Sequence, residues 1–333
     1  MRFAAIGLDH RHIYDLTEHL LAAGLECAGY WPETSAPVVL EGFRKRFPDI
    51  PARDKSALLA DPSIAIIALA AIPCDRTALA IEAMRHGKDV LSDKPGVTTL
   101  GQLAELEQAC RDTGKFFSIC FGERFLSPSS AVALEIVRTG EIGRLVQFLG
   151  MGPHRLNRAT RPAWFFERRK FGGILNDLAC HQIDAFLTMA NARDADIIHA
   201  SVGQYGTAAD FDDFGEIVLR TENATAYIRV DWFTPDGLPT WGDGRRVITG
   251  TEGTVELRKN LDIAGRAGTD HVFVADKNGT RYIHAGERPL TFFRQFAADV
   301  ANRTELAMPQ HHVFTVCRLA LQAQAKAERF VVA

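Results

Sequence analysis

The sequence lacks any apolar run long enough to cross a membrane. A transmembrane helix needs about 20 consecutive apolar residues, and the 333-residue chain has no such stretch. It also lacks an excess of charge of one sign, because 38 Lys and Arg stand against 41 Asp and Glu, a formal net charge of −3. Proteins that bind nucleic acid electrostatically usually concentrate positive charge on one face. We therefore expect neither a membrane protein nor a nucleic-acid-binding protein.

Cysteine is scarce, and no two cysteines are close in sequence. The six cysteines form no Cys-x-x-Cys pair, and disulfide frameworks are typical of short secreted chains. The apolar start of the chain, Phe3 to Ile6, is short and leads into charged residues, unlike a signal peptide. We expect reduced cysteines in a cytoplasmic protein.

Alternating apolar runs and helical patterns fill the first third of the chain. Strands are expected near residues 3–6, 25–30, 64–70, 89–91 and 116–121, and this alternation is typical of βαβ units in a doubly wound parallel sheet. Beyond residue 121 come alternating segments with no helices between them, which indicate a large, mostly antiparallel open sheet. The length favours two domains. We predict an α/β fold with domains at 1–121 and 122–333.

The turn after the first strand reads Gly7-Leu8-Asp9-His10-Arg11-His12. A dinucleotide-binding fold usually has G-x-G-x-x-G here, because the glycines admit the pyrophosphate to the backbone. Only the first glycine is present, and an Asp9 carboxylate is expected to repel phosphates. After the second strand, Trp31 replaces the acidic residue that holds the ribose. Trp31 is expected either to stack on adenine or to cover the sheet edge.

Two other segments carry groups suited to proton transfer. Asp93-Lys94-Pro95 follows a buried strand, so Lys94 is expected at the carboxyl ends of the strands, where open α/β sheets bind ligands. Asp177, His181 and Asp184 share one face of a predicted helix over 172–190. A carboxylate one turn before a histidine can fix its tautomer for proton transfer. The structural alternatives are a surface ion pair at Lys94 and a buried, satisfied histidine at 181.

A metal site is a further alternative, with His10, His12, Asp177 and His181 as nitrogen and oxygen ligands. Imidazoles two residues apart at the start of a helix are expected to point apart. The sequence therefore favours no metal site.

Several motifs, in this order and spacing, resemble the Gfo/Idh/MocA oxidoreductase family over nearly the whole chain. They are the Ile6-Gly7 turn, Asp93-Lys94-Pro95 in place of the family's Glu-Lys-Pro, Arg124-Phe125, Gly140-Glu141-Ile142-Gly143, Gly172-Gly173, the Asp177 to Asp184 helix, and Gly250-Thr251-Glu252-Gly253-Thr254.

The resemblance implies a Rossmann domain that binds NAD or NADP, and a second α/β domain whose open sheet joins subunits into homodimers or homotetramers. It also implies roles for individual residues. The catalytic lysine corresponds to Lys94, the acid/base histidine to His181 and the preceding aspartate to Asp177. Pro73 is expected beside the nicotinamide, and Asp93 with Lys94 beside the cofactor.

The leading hypothesis is an enzyme that moves a hydride between a nicotinamide cofactor and a sugar, polyol or related hydroxy compound. Lys94 and His181 would exchange the hydroxyl proton at one shared void. Arg124 and His154 are candidates for binding substrate hydroxyls or a carboxylate, and Trp164 for an apolar wall. Two alternatives stay open: a sugar lyase or hydrolase of the same fold using a metal or a tightly held cofactor, and a cofactor-free sensor protein.

Overall fold

The computed structural model describes residues 1–206 and 211–331. Contacts between Cα atoms divide the chain into two compact units. The first unit comprises residues 1–120, 162–172 and 291–317, and the second comprises residues 121–161, 173–290 and 318–333. The change near residue 121 was expected from the sequence, but the inclusion of 162–172 and 291–317 in the first unit was not.

The first unit contains a parallel sheet with strand order β2-β1-β3-β4-β5. Its strands are β1 (Arg2–Leu8), β2 (Glu26–Tyr30), β3 (Ile64–Ala70), β4 (Asp89–Asp93) and β5 (Phe117–Cys120). The central strand β3 reads Ile-Ala-Ile-Ile-Ala-Leu-Ala and is buried along almost its whole length, as expected for a parallel strand covered on both faces. The predicted doubly wound sheet is confirmed.

Helices connect the strands of this sheet. They are α1 (His12–Ala22), α2 (Pro37–Arg46), α3 (Lys55–Ala60), α4 (Pro73–Arg85) and α5 (Leu100–Thr113). Helix α5 shows how local sequence sets the ends, because the Thr99 side chain accepts a hydrogen bond from the Gln102 N–H and Gly114 is left-handed at φ 65°.

The second unit contains a nine-stranded sheet with the order β13-β12-β11-β10-β6-β9-β8-β7-β14. Its strands are β6 (Leu145–Pro153), β7 (Asp196–Gln204), β8 (Phe214–Arg220), β9 (Thr225–Asp231), β10 (Arg245–Gly250), β11 (Gly253–Arg258), β12 (His271–Asp276), β13 (Gly279–His284) and β14 (Glu328–Val331). The β6–β9 and β7–β14 pairs are parallel, and the other strand pairs of this sheet are antiparallel within the part of the chain that the structure describes. The mostly antiparallel sheet is confirmed, whereas β7 and β14 were not predicted.

The remaining helices are α6 (Gly122–Phe125), α7 (Pro128–Arg138), α8 (Arg168–Phe171), α9 (Cys180–Met189), α10 (Phe292–Asn302) and α11 (Gln310–Lys326). The single helix predicted over 172–190 is instead a π-helical segment, Leu175–Ala179, followed by α9. Phe186 of α9 packs on Phe148 of β6, with ring centroids 5.9 Å apart. Helix α9 therefore covers the face of the large sheet that carries Phe148, which we call the inner face.

The structure also bears on two expectations from composition, the state of the cysteines and the membrane-spanning potential of the helices. All six cysteines are free thiols, as predicted. Within residues 1–206 and 211–331, no helix has both the length and the apolar character needed to span a bilayer.

Candidate active-site residues

The end of β1 requires its one glycine. Gly7 has φ +69°, and a Cβ there would lie 2.5 Å from the Cβ of Ala71, closer than real side chains approach. Leu8, the last residue of β1, is fully buried. Gly7 therefore provides the tight turn and the close packing expected of the first glycine in a dinucleotide-binding loop.

Asp9 is held in place by hydrogen bonds from the loop that follows β2. One carboxylate oxygen, Oδ1, accepts hydrogen bonds from the Thr34 hydroxyl at 2.8 Å and from the Ser35 N–H and hydroxyl, both at 2.7 Å. Hydrogen bonds to a carboxylate stabilise its charge locally. These partners follow β2 and are distant in sequence, so the sequence did not reveal them, and the repulsion of phosphates by Asp9 stays a prediction.

Three further features that follow strands of the first unit are suited to binding a dinucleotide. Helix α1 begins at His12 with no side-chain cap, and the positive end of a helix dipole favours phosphate. Trp31 follows β2 and is half-buried, with the Lys55 ammonium 5.2 Å from its ring centroid. Pro73 is the first residue of α4. The residues present therefore fit a nicotinamide dinucleotide, although one glycine replaces three.

His10 and His12 converge on one carboxylate. The Nδ1 atom of His10 lies 3.0 Å from Asp93 Oδ2, and the Nδ1 atom of His12 lies 2.8 Å from Asp93 Oδ1. The two rings meet edge to face, with centroids 4.3 Å apart. The prediction that these imidazoles point apart is wrong. It assumed regular helical geometry, but His10 precedes α1.

Arg76 is a functional candidate that the sequence reasoning missed. Its fully buried guanidinium donates to Asp93 Oδ2 at 3.0 Å and to the carbonyls of Ala71, Asp93 and Pro95. Burial alone would raise the pKa of Asp93, but its electrostatic interactions with His12, Arg76 and His10 hold that pKa well below its ordinary value. The available signal was an arginine in the first turn of the helix after the central strand.

Lys94 is buried, with 6% of its surface exposed. It follows the last residue of β4, its backbone N–H donates to Asp93 Oδ1 at 2.7 Å, and the Lys94–Pro95 peptide bond is cis. Burial and the neighbouring His12 lower the pKa of His10 from 6.5 to about 4, although Asp93 opposes this, and the Lys94 charge contributes to the lowering. The ammonium of Lys94 thus belongs to the same polar cluster as His10.

In the second unit, His181 lies in the first turn of α9 and is 4% exposed. Its ring meets that of Phe121 edge to face, with centroids 6.3 Å apart. Asp177 is also buried but lies in the π-helical segment. The spacing of four residues between them therefore does not correspond to one regular α-helical turn.

Glu123 is a buried carboxylate of the second unit that the sequence reasoning missed. It accepts a hydrogen bond from the Lys259 ammonium at 2.9 Å. Burial would raise its pKa, but the charges of Lys259, His181, Arg246 and His154 lower the pKa well below its ordinary value. Glu123 therefore interacts electrostatically with both histidines proposed from the sequence. Its burial was not readable locally, because its partner Lys259 is distant in sequence.

Asp184 pairs with Arg124, which lies 60 residues away in sequence. Its two oxygens accept hydrogen bonds from Arg124 at 2.6 and 2.7 Å, in a bidentate pair in which Asp184 is fully buried. The guanidinium also lies 4.0 Å from the ring centroid of Phe125. These contacts engage Arg124 within the protein.

A buried arginine links the elements around α9. Arg246 of β10 donates to Gln182 Oε1 at 2.8 Å, to the Ser130 hydroxyl at 2.6 Å and to the Glu123 carbonyl at 3.3 Å. Its side chain is fully buried, so these acceptors and the nearby Glu123 charge replace water around it. This network holds Gln182, the neighbour of His181, against the sheet.

The two other proposed substrate residues fall in different units. His154 follows β6 in the second unit, faces Gly152 O at 2.9 Å through Nδ1, and packs against the rings of Trp232 and Trp241. Trp164 lies in the first unit, where it is buried and its ring centroid is 6.4 Å from that of His10. Whether Lys94 and His181 share one void stays a prediction.

Two family models match the chain. One, described as an oxidoreductase family with an NAD-binding Rossmann fold, matches residues 33–121. The other, described as the GFO/IDH/MocA C-terminal domain, matches residues 131–256. The first match begins at residue 33 and so does not include the Gly7 to His12 segment, in which the glycine pattern is reduced.

Individual proteins are similar over much of the chain. A protein of Erwinia carotovora atroseptica, provisionally named an oxidoreductase, has a crystal structure that is 41% identical, covers 99% of each chain and superposes with a TM-score of 0.95. The scyllo-inositol 2-dehydrogenase (NAD(+)) of Bacillus subtilis is 23% identical over 85% of this chain and 79% of its own length. Levoglucosan dehydrogenase of Pseudarthrobacter phenanthrenivorans is 25% identical over 50% of this chain. The match spans only 46% of that enzyme, and just 34% of another sugar dehydrogenase.

Proposed function

Because this chain belongs to the Gfo/Idh/MocA family of NAD-binding oxidoreductases, we propose that it transfers a hydride between NAD or NADP and a sugar, polyol or related hydroxy compound. The observation that carries the proposal is the buried ammonium of Lys94, which follows β4 in the same unit as the Gly7 turn. A lysine at the carboxyl end of a parallel strand lies where open α/β sheets bind their ligands.

The named relatives support this choice of substrate class. One is an inositol dehydrogenase and another a levoglucosan dehydrogenase, and a levoglucosan dehydrogenase structure of the same fold contains NADH and levoglucosan. These substrates share secondary hydroxyl groups on a saturated ring. Oxidation of such a group removes a hydride from carbon and a proton from oxygen, so a base must accompany the cofactor.

The residues of this chain divide these tasks. The Gly7 turn, the start of α1, Trp31 and Pro73 would hold the dinucleotide, whose nicotinamide supplies the hydride acceptor or donor. Lys94 and His181 would hold and move the hydroxyl proton. Asp177 and Glu123 would orient His181 and stabilise its protonated form.

The substrate contacts proposed from the sequence need one adjustment. His154 remains a candidate for a substrate hydroxyl, and Trp164 for an apolar wall beside His10. Arg124 is already paired with Asp184, so we assign it to positioning α9 rather than to binding substrate.

Cofactor binding is the first test. The full chain should be titrated with NADH and with NADPH while nicotinamide fluorescence is followed. We expect a saturable signal with at least one of them, and the ratio of the two dissociation constants gives the cofactor preference. Absence of saturable binding for both would refute the proposed function, because the hydride donor would have no site.

The outer face of the nine-stranded sheet supports association between copies. Val218, Tyr227, Leu149 and Val247 occupy paired register positions across β8, β9, β6 and β10, and all are half-exposed. The inner face of the same strands is buried by helices such as α9. We propose that this row of apolar side chains covers the equivalent row of a second copy in a homodimer or homotetramer.

Replacing Leu149 by Glu tests this interface. We expect the charge to shift the sedimentation coefficient from that of an oligomer to that of a monomer, because it would be buried unpaired against an apolar surface. The matched control is Val38→Glu in α2, since Val38 is 68% exposed and lies in the other unit. A wild-type monomer at high concentration, or an unchanged oligomer in the Leu149 variant, contradicts the proposal.

A further inference from the structure

We propose that His10, His12 and Asp93 form a binding site for one divalent transition-metal ion. Among the described residues, these three side chains place one ligand atom each within 4.8 Å of the other two. The cluster lies wholly within the first unit. The proposal goes beyond hydride transfer, which requires no metal ion.

The distances between the ligand atoms are close to those of a coordination sphere. The Nδ1···O separations are 3.0 Å for His10 and 2.8 Å for His12. In a tetrahedral site, two ligand atoms that are each about 2.1 Å from the metal lie about 3.4 Å apart. Slightly larger separations than those observed would therefore let a cation replace the two protons now shared between the imidazoles and the carboxylate. Each imidazole would then carry its proton on Nε2.

The carboxylate is oriented by partners that a metal ion would not displace. Asp93 Oδ1 also accepts from the Lys94 N–H, and Oδ2 also accepts from the Arg76 guanidinium. Such outer hydrogen bonds orient metal ligands in proteins. Asp93 itself is almost fully buried, whereas 43% of the His12 side chain is exposed. An ion can therefore reach the cluster from solvent on the His12 side.

The ligand types select the class of metal. Two imidazoles and one carboxylate are the set that proteins use for zinc, iron, cobalt and manganese, and magnesium prefers oxygen ligands. Three protein ligands leave further coordination positions for water or a substrate oxygen. The positive charges of Arg76 and Lys94 close to the cluster favour an anionic exogenous ligand in those positions.

Metal binding should be measured on the full chain without a polyhistidine tag and without dinucleotide. After dialysis against zinc or cobalt, elemental analysis should give one metal ion per chain, and calorimetry should give its affinity. Cobalt should also produce visible absorption bands that report nitrogen and oxygen coordination. We expect His12→Gln to weaken zinc binding by more than about 100-fold, since removal of a mere outer-shell partner costs 10–100-fold.

The control is His86→Gln, because His86 is exposed and its Nδ1 lies 2.9 Å from the Glu82 carbonyl oxygen. His12 is the least buried ligand of the cluster, and unfolding curves will verify that its variant folds. Asp93→Asn provides a second ligand variant. Equal zinc affinities in the wild type, His12→Gln and His86→Gln would overturn the proposal, as would magnesium binding as tightly as zinc. Because zinc binding is measured without dinucleotide, its outcome is independent of the proposed function.

Discussion

Replacing Lys94 by Met is expected to lower kcat by roughly 10²–10⁴-fold, the range that a positioned acid or base contributes. Methionine keeps the length and much of the volume of lysine and removes the ammonium. Because Lys94 is buried beside the His10 and Asp93 cluster, a water molecule is a poor replacement for its ammonium as the group that donates or accepts the proton. NADH production should be measured with a panel of inositols, aldoses and anhydrosugars, at saturating cofactor.

Lys88 offers a matched control. It precedes β4, as Lys94 follows it, and is also buried, with its ammonium donating to the Asp61 carbonyl at 2.6 Å. Lys88→Met should lower stability but retain kcat per folded molecule. If Lys94→Met turns over at a near-normal rate, the lysine has no part in proton transfer.

The same assay tests whether Lys94 and His181 act together. Residues that serve one chemical step show strongly non-additive effects. The double variant Lys94→Met, His181→Asn should therefore be scarcely slower than the slower single variant. Fully multiplicative losses would assign the two residues to separate steps.

The sequence alone predicted correctly those structural features that depend on a single segment of the chain. The run Ile64 to Ala70 is apolar on both faces, and this alone indicates a buried parallel strand. Lys94 could be placed at the carboxyl end of β4 for the same reason, because Asp89 to Leu91 and the following proline set the end of the strand. These expectations depended on neighbours in sequence.

Sequence reasoning missed the interactions in which a side chain and its partner are distant in sequence. The Asp9 carboxylate accepts hydrogen bonds from Thr34 and Ser35, and Asp184 pairs with Arg124, 60 residues away. Periodicity could not reveal the π-helical segment before α9, so Asp177 and His181 were assigned a regular spacing. Charge alone cannot show that a carboxylate is buried, and Glu123 was overlooked for that reason.

Replacing Glu123 by Gln is expected to lower the free energy of unfolding at pH 7 by about 3–5 kcal/mol, the cost of removing one partner of a buried ion pair. The glutamate side chain is 7% exposed and pairs with Lys259, which is 16% exposed. The fully buried Arg246 would lose a nearby counter-charge as well. Urea denaturation of both proteins measures the difference. Glu256→Gln is the control, because Glu256 pairs with Arg258 on the surface at 40% exposure, and such pairs contribute at most about 1 kcal/mol.

The pH dependence distinguishes loss of charge from loss of shape. The folded pKa of Glu123 lies below the unfolded value of 4.5, so the unfolded chain binds the proton more readily. The stabilisation by its charge is therefore fully present above pH 4.5 and declines as the pH falls below it. The difference between wild type and Glu123→Gln should shrink accordingly between pH 5 and pH 3. A difference that stays constant over this range would mean that the glutamine disturbs packing, and that the carboxylate charge contributes little to the stability of the second unit.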